Sequence, residues 1–281
     1  MLPCFTRSPA AGARPLHLVR ADRADAWLEA QPARWRAWLD GINYRAQPGA
    51  GALLPGPDGA PEAALLVVGA RPSPFDVAAA HGRLPDGDWR AASGDTVEPG
   101  VAALSWALGS YRFERYRTGE PAKRRLVIDD TPEIRRAEVV AEAVFLARDL
   151  INTPANDLGP AELAAAVEEV AARFGAEVRI LAGEDELGER YPAVLAVGRA
   201  SPRAPRVIDL AFGDADAPRV TLIGKGVCFD TGGLDLKPAA GMLIMKKDMG
   251  GAACVMALAH MIMDRGLKVR LRVLVPAVEN A

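Results

Sequence analysis

The sequence is short of cysteine, of histidine and of net charge, and each shortage closes off a class of function. Its three cysteines, Cys4, Cys228 and Cys254, show no paired spacing and no CxxC. That excludes a disulfide framework and points to a reducing compartment. None of the three histidines lies near Cys228 in sequence, so Cys228 reads as a small buried apolar residue. A net charge of -2 supplies no global field for nucleic acid or acidic lipid, and no basic stripe is present. No stretch approaches 18 uninterrupted apolar residues, so no membrane crossing is expected. Met1 to Arg20 carries arginines at 7, 14 and 20 and no acid before Asp22. It lacks an apolar core or amphipathic repeat, so it reads as a surface or first-strand segment and not a leader. What remains is a chain of 281 residues, 50% hydrophobic, enough for one or two domains with a real core.

The first half alternates strand and helix signals. Trp35, Trp38, Leu39 and Ile42 fall at helical spacing and predict one packed face. Residues 48–61 read as a Gly/Pro-rich turn region, and 63–69 (AALLVVG) as a buried strand. Residues 101–112 are helical in character, and 124–128 (RRLVI) are a further strand. His81 has no partner acid at a telling spacing and reads as a surface or capping residue. The expectation is a small α/β domain over residues 1–130 with no acid–base constellation.

A helix follows over 134–150 and ends at Asn152-Thr153-Pro154-Ala155-Asn156, because the residue before a proline is steered out of the α region. Asn152 and Asn156 read as turn and cap residues. Residues 131–159 are thus a linker helix and junction. Residues 160–174 make an amphipathic helix, on which Glu168 and Glu169 point apart on a solvated face. Strands are expected at 177–181, 206–210, 220–223 and 269–275, with a helix over 249–264. This is a mixed, mostly parallel sheet with helices on both faces, over residues 160–281. On the last helix Val255, Leu258, Ala259 and Ile262 are the expected buried stripe, and His260 is expected to be exposed.

The residues that resist a structural explanation lie between Val220 and Gly251. Lys225 stands where an apolar, β-rich run opens into a Gly-Lys-Gly turn, which reads as a buried strand end. Asp230 precedes Thr231-Gly232-Gly233, Lys237 precedes Pro238, and Asp248 precedes a helix that opens on small residues. Two carboxylates on adjacent loops suit hard or borderline divalent cations. A lysine can ligate only after losing its proton, at a cost of about 4.6 kcal/mol at pH 7 from a pKa of about 10.4. Burial and a neighbouring dication both lower that cost. Glycine turns with a lysine also cradle phosphate, but the GxxxxGK[ST] spacing is absent and two acids would repel the anion.

The run GKGVCFDTGGLDLKP, followed by KKDMGGAA, resembles the signature of the leucine aminopeptidases, the M17 or leucyl aminopeptidase family. ARDLINTPAND resembles that family's junction into its catalytic domain. The resemblance implies that Lys225, Asp230 and Asp248 are metal ligands, that Lys237 is the catalytic lysine, and that Met245 lines the pocket for the first side chain of the substrate. Thr231 stands where many members have Ser. Two divalent ions are implied, Mn²⁺ or Zn²⁺, with Mg²⁺ and Co²⁺ also compatible. Peptides with a free amino terminus are the implied substrates, a cytoplasmic homohexamer the implied assembly, and 1–130 the family's poorly conserved amino-terminal domain. The family's later N-T-D-A-E-G-R segment, with two more carboxylate ligands and an arginine that holds bicarbonate, has no counterpart here. The expectation is therefore either half of an aminopeptidase site, belonging to a longer protein that continues past Ala281, or a truncated noncatalytic half acting as an assembly or binding subunit.

Overall fold

The computed structural model describes residues 1–9, 12–73, 75–92, 97–117, 119 and 123–281. They fall into two units, Met1–Glu142 and Ala143–Ala281. In the first, the strands are β1 (Phe5–Thr6), β2 (Arg14–Arg20), β3 (Gly51–Pro55), β4 (Pro61–Val68), β5 (Gly87–Ala91) and β6 (Arg124–Val127). The helices are α1 (Ala24–Glu29), α2 (Ala33–Gly41), α3 (Ala78–His81) and α4 (Pro99–Ser110). The sheet order is β1-β6-β5-β2-β4-β3, with every pairing parallel except the β3–β4 hairpin. The apolar run in β4 is buried without alternation, as expected of a parallel strand covered on both faces.

Three expectations for this unit change. The Gly/Pro-rich segment at 48–61 contains β3, because an edge strand tolerates a terminal proline that a central strand would not. On α2 only Trp35 and Leu39 are buried, while Trp38 and Ile42 are exposed. The helix is nine residues long and presents a narrow i, i+4 stripe, and the Trp38 indole donates to the Leu53 carbonyl from outside it. His81 is buried, edge-on to Trp106 at 5.0 Å. Desolvation, with the Arg124 charge adding to it, holds its pKa below the ordinary value, so it packs as a neutral ring.

The helix α5 (Pro132–Asn152) leads into the second unit. Its other helices are α6 (Pro160–Phe174), α7 (Gly183–Leu187), α8 (Pro192–Gly198), α9 (Ala239–Met242) and α10 (Gly250–Asp264). Its strands are β7 (Glu177–Ala182), β8 (Arg206–Phe212), β9 (Arg219–Ile223), β10 (Gly226–Asp230) and β11 (Arg270–Asn280). The sheet is mixed: β11 is parallel to β9 and β10, antiparallel to β8, and β8 is antiparallel to β7. Leu163, Val167 and Val170 of α6 and Met256, Ala259 and Met263 of α10 bury one face against Ile208, Leu210, Val273 and Val275. Each such Leu, Val, Ile or Met side chain contributes roughly 1.5–3 kcal/mol. The opposite face carries Leu181, Val207 and Leu274 under Leu187, Val194 and Leu195 of α7 and α8.

The buried stripe of α10 is rotated from the one expected. Ala252, Met256, Ala259, His260 and Met263 face the core, and Leu258 is exposed. His260 is therefore buried and lies edge-on to Phe174 at 5.1 Å. Small alanines let the helix approach the sheet closely, and that rotation carries the imidazole inward.

Candidate functional site

The site grows from one irregularity at the sheet edge. β9 pairs with residues 270–274 of β11 and β10 with residues 277–280, so the two are one edge strand broken at Gly224 and Lys225. The Gly224 amide still reaches the Leu274 carbonyl at 3.0 Å. A Cβ at Gly224 would fall 2.5 Å from Val255 Cγ2 and 2.7 Å from Ala252 Cα, so only glycine lets the break lie against the first turn of α10. The Lys225 carbonyl then accepts from the Ala252 amide at 2.9 Å, satisfying a donor that the start of a helix leaves open.

This packing brings Lys225 to Asp248, which lies in a 3-10 turn, Met245–Met249, directly before α10. Lys225 Nζ stands 2.8 Å from Asp248 Oδ2. The aspartate side chain is 15% exposed and that oxygen is buried without a hydrogen bond, so the ammonium sits at ion-pair distance but off the hydrogen-bonding direction. The lysine side chain is 58% exposed. Burial of this strand end, expected from its apolar sequence, is not found: β9 is an edge strand and Ile223 is itself exposed.

Asp230 ends β10 and is held from three sides. Lys237 Nζ lies 2.6 Å from Oδ2, while Oδ1 accepts from the Gly232 amide at 2.9 Å and from Asn280 Nδ2 at 2.7 Å. Partial burial raises its pKa, but the three donors, Lys237 first, outweigh that and bring it down to about 2. The turn closes through the Lys237 amide on the Thr231 carbonyl at 2.8 Å. Met245 is half-buried at the start of the 3-10 turn, which is tied to the end of α5 by Lys246 Nζ on the Asn152 carbonyl at 2.6 Å. Asn152 and Asn156 serve through their backbone carbonyls as turn residues, the second accepting from Arg203. Cys228, between the two pairs, is fully buried and its thiol is pushed up to about 12, chiefly by desolvation. It is packing, not chemistry.

The structure thus pairs Lys225 with Asp248 and Lys237 with Asp230. Asn280, which supplies a hydrogen bond to the site, was not singled out by sequence reasoning. Its only signal was a polar side chain at the carboxyl end of a long apolar strand. Two largely buried carboxylates that each face a cationic group are chemistry a divalent cation fits. Among the described residues, however, no group of three or more His, Cys, Asp or Glu is placed to hold a metal ion. Two carboxylates and a lysine fill only part of the six positions that Mn²⁺ or Mg²⁺ favours.

Comparison with known proteins is consistent along the chain. Residues 145–281 match the sequence model of the cytosol aminopeptidase family, catalytic domain, and residues 14–129 that of the M17 aminopeptidase, N-terminal domain. The probable cytosol aminopeptidase of Rhodococcus opacus is 37% identical over 201 residues, covering 66% of this chain and 40% of that protein. The one from Rhizobium rhizogenes is 40% identical over 202 residues, covering 64% and 40%. The crystal structure of cytosol aminopeptidase from Coxiella burnetii superposes with a TM-score of 0.92 at 42% identity, over 100% of this chain and 62% of that one. The bottromycin maturation enzyme BotP in complex with Mn gives 0.78 at 32% identity, over 96% and 60%. The chain therefore spans about two fifths of the curated relatives and three fifths of the solved ones.

Proposed function

The chain belongs to the cytosol aminopeptidase (M17) family, and from that premise we propose that it carries one half of a two-metal aminopeptidase site. Lys225, Asp230 and Asp248 would hold the metal, and Mn²⁺ is favoured by a relative solved in complex with Mn. A bound divalent metal supplies Lewis acidity toward a peptide carbonyl and activates water. Lys237 would present its ammonium to the oxygen that becomes anionic, at the expense of its ion pair with Asp230. Met245 contacts the first side chain of a peptide with a free amino terminus. The observation that supports this reading is that two largely buried carboxylates, Asp230 at the end of the broken edge strand and Asp248 in the turn before α10, each face an ammonium.

A second reading concerns the 281-residue chain by itself, and it is the better supported of the two. The described residues offer two carboxylates and one lysine where two cations need more donors. Taken alone, the chain is a noncatalytic half that binds metal weakly and acts in assembly or binding. The remaining ligands come from outside these residues in a family-length protein. Such a protein would work in the cytoplasm as a homohexamer. Among the described residues no helix is long and apolar enough to cross a membrane.

Hydrolysis of a leucyl anilide with added Mn²⁺ or Zn²⁺, beside a Lys237→Ala control, separates the readings. Activity abolished in the control means the chain turns over by itself. Absence of activity together with Mn²⁺ uptake supports the half site, and absence of both removes the metal reading.

A further inference from the structure

Asn280 reaches the site from the far end of β11, fifty residues along the chain from Asp230, and knits the Asp230 turn from two directions. Its carbonyl accepts from the Thr231 amide at 2.8 Å and the Thr231 hydroxyl at 3.0 Å. Its side-chain amide donates to Asp230 Oδ1 at 2.7 Å. Gly233 makes room for it: the backbone there has φ +71, and a Cβ would fall 2.9 Å from Asn280 Oδ1. The end of β11 is anchored in turn by Glu279, which accepts from Arg203 Nη1 at 3.0 Å and Ser201 Oγ at 2.8 Å. Arg203 also donates to the Ala155 and Asn156 carbonyls at 2.6 and 2.9 Å.

The consequence is an asymmetry within one carboxylate. Among the described residues, Oδ1 carries two uncharged donors, from Gly232 and Asn280, while Oδ2 carries only the ammonium of Lys237. A cation entering the site meets Oδ2 in competition with one ammonium, whereas Oδ1 is tied to backbone and to a strand end.

The geometry points to Asn280 as a positioning residue that fixes the rotation of the Asp230 carboxylate and presents Oδ2 as its ligand oxygen. This rests on the metal-site reading above. Hydrogen-bonding partners behind a ligand typically set metal affinity within a factor of about 10–100. Asn280→Ala and the similarly sized Asn280→Leu, which has no donor, should therefore weaken Mn²⁺ binding at least about tenfold. Asn280→Gln, which keeps an amide donor, should recover part of the loss.

The test is Mn²⁺ titration of the 281-residue chain followed by electron paramagnetic resonance of the free ion, run well below each variant's melting temperature. Where one variant fails to fold, the remaining two carry the comparison. Loss of affinity in the donorless variants with partial recovery in Asn280→Gln supports the proposal. Lower melting temperatures with Mn²⁺ affinities within twofold of wild type would assign Asn280 to structure alone and overturn it. A wild-type chain that takes up no Mn²⁺ would remove the metal reading itself, and the role of Asn280 with it.

Discussion

The two lysine–aspartate pairs differ in how far this chain completes them. At Asp230 the carboxylate ends a strand, accepts three donors and is paired with a lysine that is only 29% exposed. At Asp248 the carboxylate sits in a short 3-10 turn, its Oδ2 receives no hydrogen bond, and its lysine is mostly in solvent. The first is oriented before any ligand arrives. The second is a largely buried carboxylate whose counter-ion, 2.8 Å away, sits mostly in solvent and off the hydrogen-bonding direction. Strand pairing explains the difference, because β10 and β11 hold Asp230 between a turn and a strand end, whereas Asp248 lies in a turn outside the sheet.

Substitutions can break or sharpen this contrast. The largest effect is expected at Lys237: in any form of the protein that hydrolyses a leucyl anilide, Lys237→Ala should lower kcat by about two or more orders of magnitude with metal content retained, by analogy with loss of an oxyanion donor. Unchanged kcat would remove Lys237 from the chemistry.

Next comes stability without metal. Asp230→Asn loses charge-assisted hydrogen bonds and should destabilise the chain by about 1–3 kcal/mol. Asp248→Asn relieves a buried charge and should fall within about 0.5 kcal/mol of wild type or above it. Equal melting shifts for the two would erase the distinction between the pairs.

Smaller and opposite effects are expected on Mn²⁺ affinity from the lysines. Lys237→Met removes a cation that competes for Asp230 and should tighten binding about threefold or more, whereas Lys225→Met removes a proposed ligand and should weaken it by a similar factor. Titration showing both moving the same way would mean that only net charge matters. The smallest effect is at Cys228, where Cys228→Ala should leave Mn²⁺ affinity within about twofold, since a fully protonated buried thiol offers no ligand.

Much of this was legible in residues alone. Apolar runs such as those in β4, β9 and β11 and the proline after Asn152 located most elements, since they depend on local backbone preferences and periodicity. Edge strands were less visible: β3 hides in a Gly/Pro-rich segment, and β10 follows a Gly-Lys-Gly break that reads as a turn. Burial of single side chains was least visible. His81 and His260 looked like surface residues and are core residues, because an aromatic neighbour distant in sequence supplies the surface that each ring covers.

The sequence by itself determined the α/β class and the family, and it marked Lys225, Asp230, Lys237 and Asp248 as candidate site residues, since these reside in residue types and spacings along one stretch. Only the tertiary structure decided which lysine faces which aspartate, that Lys225 lies in solvent, and that Asn280 holds Asp230. Those facts depend on a broken edge strand packed against a helix start and on pairing across fifty residues, and neither distance nor exposure is written in local sequence.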